Sequence, residues 1–301
     1  MKIAAVDIGT NTVRLLLADV VARERGFVLN EVERYEIITK LGEGLDASGR
    51  LGDEPMARAL AGLGYYAGLI DDAGVAASAG VATAATRSAA NGPEFADRVT
   101  DVLGFRPRVI DGVEEARLTF LGATNGVEHR GSFCVIDVGG GSTEFVVGEK
   151  RPDYAASIDI GSVRLTERIR SLGLRTAVEI RAYVDTLFDG VRPPYAPTLV
   201  LGSGGTFTTL AAVHAGVGTS EYVAESDNLL FFADLRSTVD GLQEMSPSAI
   251  ADLPAVSPAR AGVLQAGAIC AERAIAHIGA PSVRISVSDI LDGMALELAQ
   301  T

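Results

Sequence analysis

Two short stretches carry residue types suited to phosphate chemistry. In VIDVGGGSTE, residues 135–144, glycines and two hydroxyls lie between Asp137 and Glu144; in DIGTNTVRLLLA, from Asp7, a glycine and small polar residues lead into an apolar run. Glycine lets the backbone approach a ligand closely and take positive φ, and successive amides of such a turn form a concave anion site. The amides of Gly9, Thr10, Asn11 and Thr12 in one turn, and of Gly139, Gly140, Gly141, Ser142 and Thr143 in the other, are therefore expected to hold phosphate oxygens. The hydroxyls of Thr12, Ser142 and Thr143 add donors. Carboxylates beside a polyanion repel it unless a cation intervenes, so Asp7, Asp137 and Glu144 are read as ligands, direct or through water, of Mg²⁺ or Mn²⁺. Two alternatives stay open: an aspartate at a hairpin can bond its own turn amides, and Glu144, aligned with Arg14, can serve as an ion-pair partner.

A third loop has the same character. LVLGSGGTFTTLAAVHAG, from Leu199, reads as a buried strand, a turn at Gly202–Gly205 and a helix beginning near Thr206. Amides of Gly204, Gly205 and Thr206 at a helix N-terminus make an anion site. Other readings of these loops fail on spacing. A nucleophile elbow needs Gly two residues before Ser203, where Leu201 stands; GGGSTE has no Lys for a P-loop; Glu144 occupies the third small position of a dinucleotide fingerprint.

The elements that position these loops repeat. The stretch from Asp7 aligns with that from Asp137 without a gap, at an offset of 130 residues, and in each an apolar run enters a Gly turn and a second apolar run leaves it. Strands are expected near 3–8, 12–20 and 28–37, a helix over 53–72, a strand in VAASAGVAT, a helix opening near Asn91, a strand at 108–110 and a helix from Gly112. The plan repeats from Phe133, with strands to about Ile160 and helices near 163–172 and 176–188. It closes with a long helix between Ser257 and Gly279, a strand at 283–287 and a helix to about Ala299. In DGVEEARL the spacing of Asp111 and Glu114 fits a capping box, which leaves Glu115 without a structural duty.

Two duplicated α/β domains, each giving a glycine hairpin to an interdomain cleft, describe the actin-like (ribonuclease H-like) ATPase fold, and the expected domains are 1–118 and 119–301, with the last helix packing back on the first. Beyond the hairpins, the segments GVATAATRSAAN, VIDGVEEARLTFLG, DIGSVRLTER, LPAVSPARAGVLQAGA and ISVSDILDGMALE resemble the exopolyphosphatase and guanosine pentaphosphate phosphohydrolase (Ppx/GppA) family over nearly the whole chain, in its short two-domain form.

That resemblance implies a phosphoanhydride hydrolase with Glu115 as catalytic carboxylate and Arg87 and Arg260 as phosphate-binding arginines; a guanidinium suits bidentate contact with terminal phosphate oxygens. Arg14, Arg117 and Arg164 are alternatives as interdomain ion pairs. Inorganic polyphosphate, in short chains, is the expected substrate; guanosine pentaphosphate, a polyphosphate-binding sensor and an actin-fold kinase are the other readings. Homodimers are implied by the resemblance alone.

Composition narrows the partners. A formal charge of −13 argues against nucleic acid, no run approaches the ~18 apolar residues of a membrane helix, and the N-terminus opens on a strand pattern, so a soluble cytoplasmic protein is expected. Cys134 and Cys270 sit in apolar segments and are read as buried hydrophobes.

Overall fold

The computed structural model describes residues 1–23, 26–223 and 229–300. They form two compact units, Met1–Val127 with Ser288–Thr301, and Glu128–Val287. The elements of the first unit are β1 (Lys2–Ile8), β2 (Thr12–Arg23), β3 (Gly26–Ile38), α1 (Leu45–Ser48), α2 (Asp53–Ala73), β4 (Ala77–Ala82), α3 (Ala84–Ser88), α4 (Gly92–Leu103), β5 (Arg108–Val109) and α5 (Gly112–Thr124). Residue 118, where the sequence reading divides the chain, lies within α5. The second unit holds β6 (Phe133–Val138), β7 (Thr143–Gly148), β8 (Pro152–Ile158), α6 (Ser162–Leu172), α7 (Ala177–Phe188), β9 (Leu199–Ser203), α8 (Gly204–Ala215), α9 (Thr219–Val223), β10 (Leu229–Phe231), α10 (Phe232–Glu244), α11 (Pro247–Ala251), α12 (Pro258–Ile278) and β11 (Ser282–Ile285). The last helix, α13 (Ile290–Leu298), belongs to the first unit.

The two sheets share one plan. The first runs β3-β2-β1-β4-β5, with β1 antiparallel to β2, β2 to β3, and β1 parallel to β4 and β4 to β5. In the second, ordered β10-β11-β9-β6-β7-β8, strands β8, β7, β6, β9 and β11 repeat those relations, and β10 adds an antiparallel edge. This is the duplicated α/β arrangement of the actin-like fold. Asp7 pairs across the ladder with Arg14, and Asp137 with Glu144, so the two hairpins share a register as well as a pattern.

Near-continuous apolar strands bury both faces of the first sheet. Ala4, Val6, Ile8, Leu15 and Leu17 meet Leu63 and Tyr66 of α2 and Phe95 of α4 on one side. Ile3, Ala5, Leu16 and Ala18 meet Leu118 of α5 and Ile290, Leu291 and Met294 of α13 on the other. Here α5 and α13 approach backbone to backbone: a Cβ on Gly122 would collide with Asp289 O, and one on Gly293 with Leu118 O. The core of the second unit joins Ile136, Val138 and Phe145 to Phe188, Phe207 and the inner face of α12. Cys134 and Cys270 lie in it as free, buried thiols, whose ionisation burial pushes up to about 12. Among the described residues, no helix is long and apolar enough to cross a membrane.

Candidate active site

Parallel strands bring the candidate residues of the first unit to one sheet edge. Thr83 N donates to Ile8 O (3.1 Å) and Ile110 N to Ala82 O (3.1 Å), so the segments leaving β1, β4 and β5 start side by side at the strands' carboxyl ends, where open α/β sheets bind ligands. They are the Gly9–Thr12 turn, α3 with Arg87, and the start of α5 with Glu115. The structure joins two of these predicted residues directly: Arg87 Nη1 donates to Glu115 Oε2 (3.2 Å) and to Ile110 O (2.8 Å). Asp111 caps α5 by accepting from Glu114 N (2.8 Å). The expected return bond is replaced: Glu114 is drawn to Arg117 (2.7 and 2.9 Å), because a guanidinium one turn on offers a charged pair of donors.

Both glycine hairpins are held from behind. Gly9 N bonds Thr12 O (2.9 Å), while the carbonyls of Thr10 and Asn11 accept from Gly42 N (2.8 Å) and from Thr39 N and Lys40 N (both 2.9 Å). In the second unit Gly139 N bonds Ser142 O (3.0 Å), and the carbonyls of Gly139 and Gly140 accept from Ser162 N (2.9 Å), Val163 N (2.9 Å) and Arg164 N (3.1 Å). In a trans peptide C=O and N–H point opposite ways. Pinning these carbonyls turns the amides of Asn11 and Thr12, and of Gly140 and Gly141, to the other side, as an anion site requires.

Residues 20–301 match the profile of the Ppx/GppA phosphatase family. The chain belongs to that family. It is 37% identical to Exopolyphosphatase 2 of Mycobacterium tuberculosis over 99% of this chain and 98% of that protein. Among solved structures, the crystal structure of an exopolyphosphatase-like protein superposes with a TM-score of 0.89 at 30% identity, covering 99% of this chain and 97% of that one. An exopolyphosphatase from Cytophaga hutchinsonii gives a TM-score of 0.85 at 25% identity, covering 100% of this chain and 98% of that one.

In this Ppx/GppA chain the acidic residues divide by hairpin. Arg14 donates to Asp7 Oδ2 through Nε (3.0 Å) and Nη2 (2.7 Å), and through Nη1 to Asp289, the N-cap of α13. Burial pushes the Asp7 carboxyl above its ordinary range against the pull of Arg14. Among the described residues Asp7 Oδ1 and Asn11 Oδ1 are buried without a hydrogen-bond partner. Asp137 stands between Glu144 on β7 and Ser203 on β9, and Glu144, almost wholly buried, accepts from Ser157 Oγ (2.7 Å). Gly204, at φ +85°, has its missing side chain's place filled by Asp137 Oδ1, and the place at Gly205 is filled by the Arg260 guanidinium. Within the first unit, the two buried oxygens lacking donors, Asp7 Oδ1 and Asn11 Oδ1, suit a hard cation such as Mg²⁺, which keeps waters and phosphate oxygens in its shell. No cluster of three or more His, Cys, Asp or Glu occurs among the described residues.

Some predicted donors are committed elsewhere. The Thr143 hydroxyl, expected on phosphate, donates to Ile160 O (2.6 Å) and fastens the turn to the sheet; Thr206, expected to give its amide, has its Oγ1 on Val138 O (2.9 Å), which fastens the helix start. Arg117 pairs with Glu114 and Glu297, and Arg164 with Asp159 (2.8 Å), each within its own unit. Gly161 escapes sequence reasoning: a Cβ there would lie 2.6 Å from Gly139 O, so only glycine lets α6 reach the hairpin. The signal is faint, a DIGS echo of the DIGT at Asp7.

Proposed function

We propose that this chain is an exopolyphosphatase, releasing orthophosphate from the end of inorganic polyphosphate, and that Arg87 and Glu115 form its reacting pair. The observation that carries this is their contact at the sheet edge from which the Gly9–Thr12 turn also leaves. Arg87 would bind terminal phosphoryl oxygens and hold Glu115 in place; Glu115 would orient a water in line with the scissile bond and accept its proton. The P–O–P bond breaks as the water oxygen joins the terminal phosphorus, and the bridging oxygen leaves as the new end of the shortened chain. In the first unit the turned-out amides of Asn11 and Thr12 suit phosphoryl oxygens; in the second, those of Gly140 and Gly141, with Arg260 at the start of α12, are a phosphate-binding donor set of their own. A bound Mg²⁺ or Mn²⁺, held by Asp137 and Glu144 or by Asp7, would neutralise charge building on the phosphoryl oxygens. The name of the 37% identical relative supports polyphosphate as substrate.

Phosphate release from short polyphosphate and from guanosine pentaphosphate, measured with Mg²⁺ for the wild type and Glu115→Gln, tests the reading. Loss of about 10²- to 10⁴-fold in kcat, with little change in KM, is expected for removing a general base. Release unaffected by the substitution would refute the role of Glu115, and faster turnover of guanosine pentaphosphate would name that nucleotide as substrate.

A further inference from the structure

A cavity of about 470 Å³ lies in the first unit, and its lining contains three arginines, Arg87, Arg106 and Arg108, and no carboxylate. Each guanidinium also has a carboxylate partner outside the lining, so an anion in the cavity would have to compete for these forks. Arg87 is the partner of Glu115. Arg106 pairs with Asp97 (2.5 Å), but both side chains are more than half exposed, and exposed pairs of this kind contribute little. Its guanidinium is thus available to re-aim at a stronger anion. Arg108 pairs with Glu297 (2.8 Å) from a side chain about half exposed.

The neutral part of the lining is suited to an anion as well. Gly92 and Pro93, the first turn of the 12-residue helix α4, form part of it, but Gly92 N is bonded to Ala89 O (2.9 Å) and Pro93 has no N–H, so the polar contacts must come from side chains. The N-cap residue of that helix, Asn91, turns its side chain to Leu51 N (2.8 Å) and Leu51 O (3.0 Å) instead of capping the helix. Thr86 also lines the cavity, and its buried Oγ1 has no hydrogen-bond partner among the described residues. An unpartnered buried hydroxyl and guanidinium forks together are a donor set for a phosphate group.

We propose that this cavity is a second phosphate site, separate from the glycine hairpins, which takes a doubly charged phosphate group and shares Arg87 with the reacting pair. An occupant draws on the same guanidinium that holds Glu115, so it restrains turnover. Orthophosphate, the product of the proposed reaction, and a phosphate monoester both offer the required dianion; the apolar wall of Pro93, Ala96, Pro107 and Val109 would favour the ester. Only the effect on turnover rests on the proposed function; binding does not.

Calorimetric titration of the full chain with inorganic phosphate and with phenyl phosphate tests this, using Arg106→Ala and Val109→Glu. Both positions are largely exposed, so the fold should persist, as thermal melting would verify. For the wild type, a phosphate site is expected that each variant weakens by at least about tenfold, the scale of a lost charge-assisted contact. Hydrolysis without added phosphate should stay within about twofold, and inhibition by added phosphate should weaken in parallel with binding. Tighter binding of phenyl phosphate would identify an ester as the ligand, and equal binding orthophosphate. Variants that bind phosphate with wild-type stoichiometry and affinity would overturn the proposal. Weakened binding in the variants of a chain that hydrolyses nothing would uphold the site and remove the proposed function.

Discussion

Gly161 does its work by lacking a side chain. Its φ of −152° is open to any residue, so the demand for glycine is one of space. The α6 amides reach Gly139 O and Gly140 O only because nothing stands between them. Gly161→Ala should therefore cost about 1–3 kcal/mol through overpacking, read as a lower melting temperature, and should raise KM for polyphosphate by loosening the Gly140 and Gly141 amides. An unchanged KM would show that the hairpin keeps its shape without this support. At this scale the sequence discloses types more readily than partners. The hydroxyl of Thr143 looks like a ligand beside glycine, and only the folded chain turns it onto the Ile160 carbonyl. The Arg87 contact with Glu115 spans 28 residues and leaves no local trace in the sequence.

Helix α5 shows what an element adds. Its Asp111 cap fixes where it begins, and the Glu114, Arg117 and Glu297 cluster, with Arg108, ties it to α13. Hydrogen bonding from Arg117 holds the Glu114 carboxyl below its ordinary value of 4.5. A carboxyl with a depressed folded-state value stabilises the fold above pH 4.5, and that contribution is lost as pH falls through the folded-state value. Glu114→Gln should therefore lower the melting temperature by about 1–3 °C at pH 7. It should also flatten the decline below pH 4.5, so that the two melting curves converge in acid; parallel decline would exclude the coupling. A buried counterpart ties α12 to α7 and α10, where Glu272 accepts from Arg181 (2.6 Å), which also pairs with Asp240. Helices with punctuation are legible in advance, as Pro258 and Gly279 bound α12. Helix α10 is not, since Phe231 at its N-cap offers no capping oxygen and packing against α8 and α12 sustains it instead.

At the scale of the whole molecule the duplicated plan was visible as a 130-residue offset between Asp7 and Asp137, because a hairpin register leaves a period in the sequence. The return of α13 to the first unit is carried by small residues, Gly122 and Gly293, whose purpose shows only when the helices meet. A chain ending at Val287 should lose amide-exchange protection in β1, β2 and α5, because Ile3, Ala5, Leu16, Ala18 and Leu118 would lack their cover. Retained protection there would show that α13 is dispensable. The first unit is thus interrupted in the chain by the second. On the ribosome this imposes an order: strands made first must wait for a helix made last. At about 5–20 residues per second the wait from β2 to α13 is roughly 15–50 s, during which one apolar face of the nascent sheet is open to chaperones and to aggregation.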